Sequence, residues 1–175
     1  MFRQIMMSAA LLSVALLSGC ASIPMADATA DVQAKQFVAL KDVANLYVYR
    51  NETFGAALKM PVLVDGMAVG DTVAHSYILK QVTLGSHTIT SKSENDATLT
   101  LSTEAGKNYY VWQEVKMGLL MARSKLSEVS EVSEVSEVSE VSEVSEVSEV
   151  SEVSEVSEVS EDEGRQGVME SKLIQ

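Results

Sequence analysis

The residues best suited to chemistry in this sequence are Leu17, Ser18, Gly19 and Cys20, which close an apolar leader. Cys20 is the single cysteine among 175 residues, and its thiol can carry a thioether-linked diacylglyceryl group. Ser18 and Gly19 are small enough to let a peptidase approach the backbone, and Leu17 fits an apolar pocket. The four residues match a bacterial lipobox, where a prolipoprotein is acylated on cysteine and cleaved just before it. We therefore predict that Cys20 becomes the acylated first residue and attaches the chain to a membrane.

Residues 1–19 have the three regions of an export signal. Arg3 supplies the positive start, and residues 5–17 form an apolar run that only two serines interrupt. This run is too short to span a hydrocarbon core, which needs roughly 20 residues. We interpret residues 1–19 as a lipoprotein signal peptide, and the alternative is a plain secretory signal with a chance cysteine. Ala21 follows the cysteine in place of an aspartate, and by resemblance to Gram-negative sorting rules this favours the outer membrane, with the body in the periplasm.

From residue 45 onward the sequence shows the period-two alternation of β-strands, with turn residues between short runs. Asp65 and Gly66 form a strong turn signal because both tolerate positive φ. Short strands at about ten-residue spacing predict an all-β fold, and we favour a small antiparallel β-sandwich over a small barrel. We assign the body to residues 45–126 and the final turn and strand to residues 162–175. Residues 20–44 are predicted to be the lipidated N-terminus and a spacer, with a weak helical signal in their second half.

Eleven perfect copies of Ser-Glu-Val occupy residues 127–159 and are followed by Ser160 and Glu161. A period of three places valine on alternate faces of a strand and moves it around an α-helix, so neither element gains a fixed apolar face. Glutamates three residues apart also repel each other on a helix. We therefore predict that residues 127–161 are a disordered insertion that interrupts the sandwich. The alternatives are a helical or stacked-strand form, and an acidic arm that binds cations or basic partners.

The formal charge of −12 belongs to this tract and not to the remaining chain. Twelve of the 25 acidic residues are glutamates of the tract, which leaves 13 acidic residues against 13 Lys and Arg. A protein that neutralises nucleic-acid phosphates needs clustered basic residues, and the sequence contains no such cluster. We therefore expect no nucleic acid among the partners.

An aromatic run near the end of the body is the best candidate for a binding surface. Alternation over residues 109–116 puts Tyr110, Trp112 and Glu114 on one face of a strand and the valines on the other. If the valines face the core, these side chains and Tyr49 form an outward face that binds a glycan, a peptide or an envelope protein. The competing interpretation places Trp112 in the core, and the scarcity of aromatic residues slightly favours it.

The sequence offers few groups for catalysis or metal binding. It contains two histidines, His75 and His87, and no cysteine other than Cys20. A zinc site needs three or four ligands, and no short-spaced cluster in the sequence supplies them. The sequence also lacks a nucleophile elbow and a phosphate-binding glycine loop. We therefore expect no cofactor, no metal and no enzymatic activity, and the alternative is a small periplasmic hydrolase with a dispersed site.

Several motifs carry a resemblance to known proteins: Tyr47-Val48-Tyr49-Arg50, Val64-Asp65-Gly66, Gly106-Lys107-Asn108-Tyr109-Tyr110-Val111-Trp112 and the segment 161–173. Over residues 37–126 and 161–175 the chain resembles a family of bacterial lipoproteins known as domain of unknown function 2846, which supplies no known reaction. In that family the chain after Leu126 passes directly into an acidic turn, where this sequence inserts its tract. Residues 64–70 and 84–89 also look like PEGA-type surface β-modules. The resemblance implies a sandwich of binding or structural character, and we expect a lipid-anchored, non-enzymatic module.

Overall fold

A computed structural model describes residues 22–117, 122–129 and 161–175. The predicted signal peptide, Cys20 and tract residues 130–160 lie outside these described residues. Within them the chain forms two helices and nine strands: α1 (Ala28–Ala34), β1 (Ala44–Arg50), β2 (Met60–Val64), β3 (Met67–Thr72), β4 (Ser76–Val82), β5 (Gly85–Lys92), β6 (Asp96–Thr103), β7 (Asn108–Met117), β8 (Ala122–Val129), α2 (Glu161–Met169) and β9 (Lys172–Leu173).

The strands form two sheets that pack face to face. Sheet I has the strand order β8-β7-β1-β4-β9, and sheet II has the order β3-β2-β5-β6. Most neighbours are antiparallel, but β1 pairs with β7 and β4 pairs with β9 in parallel. The predicted all-β sandwich is therefore confirmed, and the two parallel pairs are an addition that the sequence pattern did not indicate.

The main core lies between the inner faces of the two sheets. Because side chains alternate along a strand, Leu46 and Val48 of β1 point inward and join Val62 of β2 and Ile89 of β5 in one buried cluster. Full burial of each such side chain stabilises the fold by about 1.5–3 kcal/mol. All seven residues of β1 are buried, because sheet II covers one of its faces and the helices cover the other.

Residues 22–44 belong to the folded body, so the predicted spacer is wrong. Met25 forms a bridge with Ile174, and the amide of Ala26 donates to the carbonyl of Leu173 at 2.9 Å. Helix α1 begins after Asp27, whose carboxylate accepts from the amide of Ala30 at 2.9 Å. Ala34, the last residue of α1, is the buried residue of this helix and packs in the cluster on sheet I that contains Tyr47.

The C-terminal segment also differs from the prediction, because residues 161–169 form helix α2 where a turn and a strand were expected. Three acidic residues in the first turn of α2 favour the positive end of the helix dipole. Glycine in a helix costs about 1 kcal/mol relative to alanine, so Gly164 and Gly167 argue for a turn when only the sequence is considered. The strand β9 has only two residues, Lys172 and Leu173.

The first copy of the repeat is part of the sandwich and not of the predicted disordered insertion. Residues 127–129 continue β8 and pair with residues 110–112 of β7. The chain re-enters the described residues at Glu161, one helical turn before Arg165, whose Nε donates to the hydroxyl of Tyr110 at 3.4 Å. Val129 is the register partner of the same Tyr110. The two flanks of the undescribed tract therefore lie near each other on sheet I.

The sandwich has two distinct ends, which strand direction defines. Because β1 and β7 are parallel and β4 runs opposite to β1, the loop 51–59, the turn 73–75 and Met117 share one end, here called the distal end. The connections 35–43, 83–84 and 104–107 share the other end, here called the proximal end.

Candidate functional site

The predicted aromatic binding face is present on the outer face of sheet I, but the two helices cover it. Tyr49 is 3% exposed and Tyr110 is 0% exposed, and both pack with Val168 of α2. Trp112 is partly buried beside them. The open surface predicted for Tyr49, Tyr110 and Trp112 is therefore wrong, because alternation identifies which side chains share a face and not what covers that face.

The position of Trp112 matches neither of the two interpretations from the sequence completely, which were an outward binding face and burial in the sandwich core. Val111 points into the main core and Val115 is buried on the same face of β7, so Trp112 points to the opposite side, where a second core lies under the helices. Its Nε1 is buried and has no hydrogen-bond partner among the described residues. Glu114, the fourth residue of the predicted face, is largely shielded and forms an ion pair with Lys116.

Three tyrosines and one phenylalanine form the centre of this second core. The rings of Tyr47 and Tyr110 stack with centroids 5.3 Å apart and an interplanar angle of 17°. Phe37 meets both rings, at centroid distances of 5.4 and 6.0 Å. The layer thus joins β1 and β7 to the segment that follows α1, and such aromatic pairs contribute about 0.5–1.5 kcal/mol beyond their buried area.

The hydroxyl groups of these tyrosines are engaged in holding the helices. Tyr47 donates to the carbonyl of Ala34 at 2.9 Å, and Tyr77 donates to Oδ1 of Asp31 at 3.0 Å. Burial raises the pKa of Tyr47 and of Tyr77 well above the usual range, and the Asp31 carboxylate raises that of Tyr77 further. Both phenols stay protonated at neutral pH, so they act as hydrogen-bond donors and not as bases.

Asp31 connects helix α1 to the C-terminal strand. Besides Tyr77, it accepts from Nζ of Lys35 and from the amide of Leu173, both at 2.9 Å. Desolvation pushes the pKa of Asp31 upward, but the hydrogen bonds from Lys35, Leu173 and Tyr77 together hold it below its ordinary value. The carboxylate therefore stays ionised and fastens two segments that are 142 residues apart in sequence.

At the distal end, a buried arginine organises the loop 51–59. Arg50 is 0% exposed, and its guanidinium donates to the carbonyls of Phe54, Gly55 and Leu58 at 2.9, 2.6 and 3.1 Å. Burial lowers the pKa of Arg50, and the nearby Glu52 carboxylate opposes that change. Sequence reasoning missed this residue, because an arginine at the end of an alternating strand usually faces solvent.

Glu52 ties the same loop to strand β7. Its Oε1 accepts from the amide of Val115 at 2.5 Å. Burial raises the pKa of Glu52, while this amide and Arg50 act in the opposite direction. Loop carbonyls and the β7 backbone thus engage the terminal guanidinium nitrogens and the Glu52 carboxylate, while the buried Nε of Arg50 has no hydrogen-bond partner among the described residues.

His87 and Asp65 form an ion pair at the turn between β2 and β3. Nδ1 of His87 lies 2.7 Å from Oδ2 of Asp65, and Nε2 lies 2.9 Å from the carbonyl of Thr83. A carbonyl can only accept, so Nε2 carries a proton, and the carboxylate favours a proton on Nδ1 as well. The hydrogen bond with Asp65 raises the pKa of His87 and lowers that of Asp65. Both ring nitrogens are thus occupied in holding the turn to β5.

The second histidine, His75, is exposed beside the loop 51–59. It has a positive φ of 56°, and its Nε2 lies 3.0 Å from Oγ1 of Thr53. Within residues 22–117, 122–129 and 161–175, no three His, Cys, Asp or Glu side chains are placed to hold a metal ion. No helix among the described residues is both long enough and apolar enough to cross a membrane.

The predicted lipobox residues, Leu17, Ser18, Gly19 and Cys20, lie outside the described residues. The described chain begins at Ser22, and Ile23 already packs against the main core. A side chain that packs on the core is therefore only three positions after Cys20.

Comparison with known proteins places the chain in a family. The family model described as protein of unknown function (DUF2846) matches residues 40–125. An uncharacterized protein of Haemophilus influenzae is 34% identical over 129 residues, which cover 72% of this chain and 77% of that relative. The chain belongs to the DUF2846 family. The DUF2846 match runs from just before β1 into β8, so it includes Arg50, the Asp65–His87 pair and Trp112. No solved structure matches the chain.

The DUF2846 match leaves both covering helices outside its limits. Helix α1 precedes residue 40 and helix α2 follows residue 125. Apart from β9 and the last residues of β8, the strands of this DUF2846 protein therefore come from the matched region, whereas the cover of the aromatic layer comes from the two flanking segments. Both flanking segments are needed to close the outer face of sheet I.

Proposed function

We propose that this protein is a lipid-anchored envelope lipoprotein, attached through acylated Cys20 to the periplasmic side of the outer membrane, and that its body is a non-enzymatic structural or binding module. The observation that carries the proposal is the lipobox, Leu17 to Cys20, directly ahead of a closed β-sandwich. An apolar leader of this kind is exported, and cysteine is the residue that can receive the diacylglyceryl group.

The polar chemistry of the body favours a structural role. Arg50 is committed to three loop carbonyls, and His87 uses both ring nitrogens to hold a turn. Tyr47 and Tyr77 hold helix α1. Groups with these fixed partners stabilise a scaffold, because a reacting group needs a free proton acceptor or nucleophile directed at a substrate.

Metabolic labelling with radioactive palmitate tests the anchor. The full chain incorporates label, and Cys20→Ser loses the label and accumulates as the unprocessed precursor. Ser8→Ala, a substitution in the leader away from the lipobox, serves as the matched control and is labelled normally. Incorporation that survives in Cys20→Ser, or that is absent from the natural sequence, contradicts the proposal.

Membrane fractionation tests the location. The natural sequence sediments with outer-membrane fractions in a density gradient, and Ala21→Asp shifts the protein to the inner membrane. Recovery of both forms in the same inner-membrane fraction refutes the outer-membrane assignment while leaving the lipid anchor intact. Crosslinking in intact envelopes followed by pull-down then separates a binding role from a structural one, since a binding module recovers the same partner repeatedly.

One contact favours the second candidate, a small hydrolase. The Thr53 hydroxyl lies 3.0 Å from Nε2 of His75, which is the spacing of a nucleophile and its base. Hydrolysis of p-nitrophenyl acetate by the natural protein, with loss of that activity in both Thr53→Val and His75→Gln, supports this candidate. Activity that is equal in these variants and in the natural protein rejects the pair as a catalytic site.

A further inference from the structure

The proposed lipid anchor leaves almost no chain between the membrane and the body. Ile23 packs against the main core, and the carbonyl of Pro24 accepts from the amide of Gln175 at 3.2 Å. Ile23 is three positions after Cys20, with only Ala21 and Ser22 between them, and extended chain spans at most about 3.6 Å per residue. An acylated Cys20 therefore holds the core within about 10 Å of the point where its acyl chains enter the bilayer.

Strand direction determines which end of the sandwich this short tether approaches. Strand β9 is parallel to β4, and β4 runs from the distal to the proximal end. The segment around Met25 is antiparallel to the chain at Ile174. Going back from Met25 to Ser22, the chain therefore leads toward the proximal end and continues from there to Cys20.

The proximal end carries exposed apolar side chains. Leu84 is 54% exposed in the connection between the two sheets, and Val38 and Leu40 are exposed in the connection between α1 and β1. Met67, at the proximal side of the β2–β3 turn, is also exposed. Four of the eight large hydrophobic residues exposed within the described chain thus lie on or beside the end that the tether approaches.

Charge does not oppose contact of this end with a bilayer. Lys41 and Asp42 are neighbours in the connection 35–43, and Lys107 forms an ion pair with Glu104 at 2.9 Å. The three connections hold three lysines and two carboxylates, so anionic lipid headgroups are not repelled by an excess of carboxylates.

We propose that the proximal end is a membrane-docking surface, with Leu84, Val38 and Leu40 inserted at headgroup level of the bilayer that holds Cys20. Met67 lies at the edge of this contact. The proposal rests on the lipid anchor proposed above and adds the orientation of the body, with the distal end and Phe54 facing away from the membrane. Short-range tethering favours this contact because it keeps these apolar side chains beside the interface.

Fluorescence quenching in vesicles tests the orientation. Acylation occupies Cys20, the only cysteine, so a new cysteine is the only free thiol. Leu84→Cys and Phe54→Cys are matched positions at opposite ends, 54% and 50% exposed in the natural protein. Each acylated variant is labelled with an environment-sensitive fluorophore and reconstituted in phosphatidylethanolamine–phosphatidylglycerol vesicles containing nitroxide-labelled lipid.

The label at position 84 is expected to be quenched several-fold more than the label at position 54. Equal quenching in protein that floats with the vesicles overturns the docking surface and leaves the lipid anchor intact. Failure of the acylated fraction to float overturns both. If shielding of the label at position 84 depends on the protein-to-lipid ratio and not on the amount of nitroxide-labelled lipid, a second copy of the protein covers this end. That result also refutes the proposal.

Chemical footprinting of the unsubstituted acylated protein provides a second measurement. Lysine acetylation should be reduced several-fold at Lys41 when the protein moves from detergent to vesicles, while Lys59 in the distal loop is modified equally in both. Equal modification of Lys41 in the two conditions contradicts the proposal even if a cysteine variant misfolds.

Discussion

Gly167 is the position where one added methyl group has the clearest consequence. A Cβ built on Gly167 lies 2.1, 2.6 and 2.8 Å from three ring carbons of Tyr49. Ordinary van der Waals contacts begin near 3.4 Å, so Gly167→Ala requires helix α2 and the ring to separate by about 1.3 Å. Tyr49 is buried, and the ring lies within the closed aromatic layer.

The magnitude follows from two opposing contributions. An extra methyl group in a packed interior costs about 1–3 kcal/mol, and a clash with a rigid buried ring belongs at the upper end of that range. Alanine is about 1 kcal/mol better than glycine in a helix interior, and position 167 lies within α2. We therefore expect Gly167→Ala to lower the free energy of unfolding by about 2 kcal/mol.

Urea unfolding followed by the fluorescence of Trp112 measures this change, in a soluble form that begins at residue 22. Gln166→Ala, on the exposed side of the same helix, is the matched control and should change stability by less than about 0.5 kcal/mol. With Tyr49→Leu in the background the added methyl group should cost less, and a double-mutant cycle reports that coupling. A Gly167→Ala protein as stable as the parent refutes the close contact of α2 with sheet I.

Three further predictions concern other parts of the body. Arg50→Met leaves three loop carbonyls without their donor and should cost about 3 kcal/mol, with faster proteolysis in the loop 51–59. The raised pKa of His87 gives a stabilising contribution that is complete below about pH 6.5 and is lost as pH rises through the folded-state value, so His87→Gln should remove that part of the pH dependence. The lowered pKa of Asp65 keeps this carboxylate ionised and the ion pair intact until the pH falls through the folded-state pKa of Asp65. Deleting residues 136–159, which shortens the connection between nearby flanks, should raise the free energy of unfolding by about 1 kcal/mol if the tract is disordered as predicted.

Each of these variants has an outcome that contradicts its reasoning. Unchanged loop proteolysis in Arg50→Met shows that backbone contacts alone hold the loop, and Lys59→Met is the control for charge removal. A His87→Gln pH profile identical to that of the parent shows that the His87–Asp65 ion pair does not contribute to the pH dependence of stability. A large loss of stability on deleting residues 136–159 shows that the tract packs on the body, against the predicted disorder.

The sandwich could be predicted because its signals are local. Alternation within each run indicates a strand and which side chains share a face, and Asp65-Gly66 identifies a turn through its tolerance of positive φ, observed at 52° and 77°. The parallel pairing of β1 with β7 could not be predicted, because alternation within a strand does not specify its neighbour. The burial of Arg50 likewise depends on where the carbonyls of the following loop turn.

The sequence by itself determined the linear features of this protein, which are the strand periodicity, the repeat and the motif at Cys20 from which the lipid anchor is predicted. These features depend on neighbouring residues, so they can be read without knowing the fold. Only the tertiary structure decided that the aromatic face is closed, because its covers, helices α1 and α2, come from opposite ends of the described chain. Helix α2 is formed in spite of two glycines because Gly167 lets it approach Tyr49, a contact that exists only after sheet I has assembled.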